Sequence, residues 1–166
     1  MKKLWFISVL VLLLTGCNSA QQYERQEGAC CVDEIAEPGL ICITATDAMA
    51  APVMSTENSD RLYVSEDYVV TLQTVPGGNL DGTLRSCTGF GQDRLTVVET
   101  EKDGMKRYDC AWTAAGEGTQ TVGRTTVLDD GYYHYVLTVS APGSNSAVMT
   151  AAWQQLAESF KVSIAQ

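Results

Sequence analysis

The chain has 166 residues and carries 20 acidic against 11 basic side chains, for a formal net charge of −9 at pH 7. That balance argues against nucleic acid or anionic lipid as an electrostatic partner and is compatible with a basic protein. The length suits one domain with a real core. The single histidine and the lack of any C-x-x-C spacing argue against a zinc site or a thioredoxin-like centre.

Met1-Lys2-Lys3 gives a short cationic start, and Leu4–Leu14 is apolar except for Ser8. At ~1.5 Å per residue that run spans roughly 16 Å, about half of a bilayer's hydrocarbon core. It is therefore too short for a membrane span and has the length of a secretory h-region. Leu14-Thr15-Gly16-Cys17 follows, with small residues ahead of a thiol. This resembles the lipobox of bacterial lipoproteins, which implies cleavage before Cys17 and acylation of its sulfur. Two or three acyl chains, at about 0.8 kcal/mol per buried CH₂, would hold the protein on a membrane. The resemblance also implies an extracytoplasmic, lipid-anchored address. Asn18, standing where Asp would favour inner-membrane retention, points to the outer membrane if the host has one. The expected organisation is a signal peptide over 1–16, a lipidated polar tether over 17–29 and one α+β domain over 30–166.

Outside the cytoplasm thiols tend to be oxidised, so Cys30, Cys31, Cys42, Cys87 and Cys110 are disulfide candidates. The preferred set joins Cys30 or Cys31 to Cys42, and Cys87 to Cys110. The second bridge would close a loop of about 23 residues, worth roughly 3 kcal/mol. An odd count leaves one thiol over.

From Leu40 onward the pattern is mainly β. Candidate strands are Leu40–Thr46, Arg61–Ser65 and Tyr68–Val75, after which Pro76-Gly77-Gly78-Asn79 breaks the chain. Arg94–Glu101 and Met105–Thr113 flank Lys102-Asp103-Gly104, a hairpin signal, and Thr119–Leu128 and Tyr132–Ser140 flank Asp129-Asp130-Gly131, another. In the last strand Tyr133, Tyr135, Leu137 and Val139 share a face that reads as core, and Tyr132, His134, Val136 and Thr138 take the other. Ser144 or Asn145 caps a predicted helix over Ser146–Ser159, in which Met149, Ala152, Trp153, Leu156 and Phe160 form one apolar stripe. Phe160–Ile164 then closes as a short strand. The fold class is an antiparallel sheet covered by this late amphipathic helix. The connections Met49–Asp60 and Pro76–Gly91 read as loops that carry contacts.

The hairpin ending in Tyr132–Val139, followed by a polar loop and an amphipathic helix, with matching residues over Ala151–Val162 and Ser159-Phe160 at the close, resembles the PsbP/DcrB-like α/β/α sandwich family. The resemblance implies a twisted antiparallel sheet leading into a final helix. It also implies non-enzymatic binding, assembly or chaperone-like work, and it transfers no functional residue.

The residues themselves offer little chemistry. There is no G-x-S-x-G, and His134 reads as an exposed strand histidine without a role. Asp129-Asp130 and Glu66-Asp67 sit in turns as solvated acids, and Trp112 and Trp153 read as core. No cofactor and no metal are expected. The expected function is non-catalytic: a lipid-anchored envelope protein that binds a protein partner, as an assembly subunit or as an immunity-type inhibitor of a basic toxin. A small-molecule-binding lipoprotein and an enzyme of unrecognised type are the alternatives.

Overall fold

The computed structural model describes residues 37–56, 60–116 and 118–163, all within one compact unit. The signal peptide, the tether, Cys17, Cys30 and Cys31 lie outside the described residues. The elements in chain order are β1 (Leu40–Cys42), β2 (Met54–Ser55), β3 (Arg61–Val64), β4 (Val69–Pro76), α1 (Leu80–Thr88), β5 (Val97–Lys102), β6 (Met105–Ala115), β7 (Gln120–Asp129), β8 (Tyr133–Pro142), α2 (Ser146–Ser159) and β9 (Lys161–Ser163). Seven strands form one antiparallel sheet in the order β2-β3-β4-β8-β7-β6-β5, and β1 pairs with β9 in a separate two-stranded ribbon. The α+β class and the late helix on an antiparallel sheet are as the sequence indicates.

The two hairpins follow from their turn residues. Asp103 and Gly104 both take positive φ, 54° and 79°, the geometry a tight two-residue connection requires. In the second turn Asp130 Oδ1 accepts from the backbone N–H groups of Tyr132 and Tyr133 at 2.8 and 2.7 Å. Its Oδ2 accepts from the Tyr135 hydroxyl at 2.8 Å, which ties the turn to the core.

Both faces of the sheet are covered over its central strands, and this departs from the sequence reading. On the first face Val70, Leu72, Leu128, Tyr135, Leu137 and Val139 pack under Met149, Ala152 and Leu156 of α2 and under Phe160. Lys102 Nζ donates to the Ala157 and Glu158 carbonyls at 3.0 and 2.7 Å, fastening the carboxy-terminal end of α2 to the hairpin. On the second face Tyr108, Cys110, Val127 and Val136 pack around Leu84 of α1. The expected Pro76–Gly91 loop is therefore mostly a helix and core-forming. Asn79 caps it, accepting from Gly82 N–H at 2.9 Å, and Gly89 ends it in the left-handed conformation. Asp81 and Arg85 add an i,i+4 pair at 2.8 Å.

Candidate functional site

The histidine is the first correction. His134 is 1% exposed, because α1 covers the face that the strand pattern left open. Its Nδ1 shares a 2.7 Å hydrogen bond with Thr83 Oγ1 of α1, and its Nε2 stands 3.7 Å from Asp129 Oδ2. The order hydroxyl–imidazole–carboxylate is that of a hydrolase relay, but the parts do not assemble into one. The carboxylate is beyond hydrogen-bond distance. The Gly82 and Thr83 N–H groups on this helix turn are already committed to the Asn79 side chain and carbonyl at 2.9 and 3.1 Å and so offer no oxyanion donors. The His134–Thr83 bond instead locks α1 onto the sheet.

Beside it runs a row of side chains across three paired strands, Cys110, Thr125 and Thr138. Thr125 Oγ1 lies 3.1 Å from Thr138 Oγ1 and accepts from Trp112 Nε1 at 3.1 Å. Cys87 packs on the same cluster from α1. Burial pushes the Cys87 thiol up to about 11 and the Cys110 thiol up to about 12, the latter also through the nearby Cys87 sulfur. The structure thus brings the expected pair Cys87 and Cys110 into one layer, and holds both as free thiols. Cys42 is likewise free, with its expected partners outside the described residues. Trp112 and Trp153, which read as core, are only half-buried at the edges of the two clusters, and Trp153 Nε1 donates to Thr126 Oγ1 at 3.2 Å.

The open surface that could receive a partner lies on the other half of the sheet. β2 and β3 pair Met54 with Leu62, and Val64 follows Leu62 on the same face. Here α1 no longer covers the sheet, so Met54 is 54% and Val64 50% exposed. The turn after β3 places Glu66 and Asp67 beside Val64, and with Ala48 and Ser65 they line an open depression of about 520 Å³. The Met49–Asp60 connection therefore does contribute exposed apolar residues, Val53 and Met54, whereas Pro76–Gly91 is mostly helix and not an open loop.

Among the described residues no three His, Cys, Asp or Glu side chains are placed to share a metal ion, and no helix is long and apolar enough to cross a membrane. No protein-family model and no curated protein matches the sequence. Among solved structures, the fold is similar to that of LpqN, involved in cell envelope biogenesis of Mycobacterium tuberculosis. The TM-score is 0.51 at 11% identity, covering 76% of this chain and 86% of that one. A protein from Bacteroides thetaiotaomicron aligns over 74% of this chain and 44% of its own, with a TM-score of 0.49 and 11% identity. At such identity the likeness to LpqN is one of fold.

Proposed function

We propose that the chain is a lipid-anchored, extracytoplasmic accessory domain that acts by binding another protein and not by catalysis. The observation that carries this reading is the β2–β3 ribbon, where exposed Met54 and Val64 flank half-buried Leu62 in one apolar row, with Glu66 and Asp67 beside Val64 at its rim. An apolar centre with a rim of one charge suits a partner with an apolar anchor and basic surroundings. The chain's net charge of −9 favours encounter with such a partner. The address rests on Leu14-Thr15-Gly16-Cys17, and the envelope role of the similarly folded LpqN supports it. Against catalysis stands the use of the one imidazole as an internal bond to Thr83. A basic toxin and an envelope-assembly subunit both have the required chemistry, and the partner's identity distinguishes an immunity role from an assembly role.

The test is affinity purification of the full chain from its own membranes, alongside the Met54→Asp and Val64→Asp variants. One dominant protein, retained by the unaltered chain and lost from both variants, is the expected result. No protein above background, or equal retention by the variants, overturns the reading.

A further inference from the structure

An acidic protein has few cations to spare, and most of those described here are spent internally. Arg61 donates to the Ile41 carbonyl, Arg85 pairs with Asp81 and Asp93, and Arg107 pairs with Asp109 at 2.8 Å. Among the described residues only two arginines make neither an ion pair nor a hydrogen bond to the protein, Arg94 and Arg124. Both line the same cavity, of about 430 Å³, between the amino-terminal turn of α2 and the connection from α1 to β5. Among the described residues no carboxylate lines it.

The two guanidiniums are held ready. Arg94 Cζ lies 5.1 Å from the centre of the Phe90 ring, and Arg124 Cζ lies 5.1 Å from that of Trp153. Stacking occupies the flat face of a guanidinium and leaves its in-plane N–H donors free, so little rotamer freedom remains to be lost on binding an anion. One wall of the cavity is α2, whose Ser146, Met149 and Thr150 line it. Its cap residue Asn145 makes no capping bond, its side chain being turned to Asp67 at 3.1 Å, and its first turn holds no acid. Gly123 makes room for the Trp112 ring, which a Cβ there would meet at 2.2 Å.

We propose that this cavity binds a small ligand through an oxyanion, a phosphate or carboxylate group held by Arg94 and Arg124, with the rest of the ligand against Met149 and Thr150. The volume is that of an ordinary small-molecule site. The cavity borders β6 and β7, in the half of the sheet away from the β2–β3 ribbon, so the inference stands independently of a protein partner there.

The test uses the full chain in a neutral maltoside detergent, titrated with inorganic phosphate, glycerol 3-phosphate, acetate and a short-chain phosphatidylglycerol. Calorimetry and tryptophan fluorescence read the binding. Saturable binding of at least one probe is expected, weakened roughly 10-fold or more by Arg94→Gln or by Arg124→Gln, as for loss of a hydrogen bond to a charged group. Arg85→Gln, outside the cavity, should leave it unchanged. Tightest binding of the lipid would identify a headgroup as the source, and tightest binding of a soluble probe would identify a free phosphate ester or carboxylate; each supports the site. Unchanged melting of the arginine variants confirms that they fold. No binding of any probe below about 10 mM, or binding that survives both substitutions, overturns the proposal.

Discussion

Leu84→Ala is the sharpest test of the two-sided sheet. Leu84 is the fully buried α1 residue at the centre of the cluster with Tyr108, Cys110, Val127 and Val136. The substitution removes three carbons, about 2.4 kcal/mol of transfer free energy at 0.8 kcal/mol each. The residual cavity adds to this, so about 3 kcal/mol is expected, within the range for buried Leu→Ala changes. Such a loss is a large part of a domain's net stability of roughly 5–15 kcal/mol. Urea denaturation of the full chain, followed by far-UV circular dichroism, measures it as a lowered midpoint at unchanged slope. Val64→Ala, at a half-exposed position, should shift stability by no more than about 0.5 kcal/mol. A Leu84→Ala loss as small as that of Val64→Ala would refute the packing of α1 on the second face.

Cys17→Ser should move the protein from the membrane to the soluble fraction on ultracentrifugation; unchanged membrane association would reject the anchor. The folded thiols of Cys87 and Cys110, held near 11 and 12 against an ordinary 9.0, keep their protons where an unfolded chain has lost them. The unfolded state then binds fewer protons, so stability of the reduced protein should fall as pH rises from 9 to 11, by about 1.4 kcal/mol per pH unit for each thiol. Oxidation of the pair to a disulfide removes both thiols, and the oxidised protein should lack that fall. Tyr135, pushed up to about 12 by burial, adds a loss at higher pH common to both forms. Identical melting profiles for the oxidised and reduced protein would contradict both the pairing and the burial. Gly123→Ala should cost roughly 1–3 kcal/mol by forcing the Trp112 ring aside; an unchanged melting temperature would show that the ring yields freely.

The parts of the fold with strong local signals were legible in the sequence. Asp103-Gly104 and Asp130-Gly131 fixed two hairpins, and the stripe of Met149, Ala152, Leu156 and Phe160 fixed α2 and the face it covers. α1 was not legible, because Gly82, Thr83, Ser86, Cys87 and Thr88 are poor helix formers and Gly77-Gly78 precedes them. Its signals were only its caps, Asn79 and Gly89. Missing α1 made the second face look solvated and His134 look exposed. Once that helix is in place, the alternation of β8 becomes a strand buried on both sides. The arginine cavity left no pattern at all. Arg94 and Arg124 are far apart in the chain, and only the folded structure shows that every other described arginine is engaged.

The central claim, binding of a protein through the β2–β3 ribbon, is tested most directly by site-specific photocrosslinking in the native envelope. A photoreactive residue at position 64, compared with one at exposed Thr100 of β5 at the opposite sheet edge, separates surface-specific contact from proximity. The account predicts one protein adduct from position 64 and none of that size from position 100. No adduct from position 64, or the same adducts from both, would contradict it.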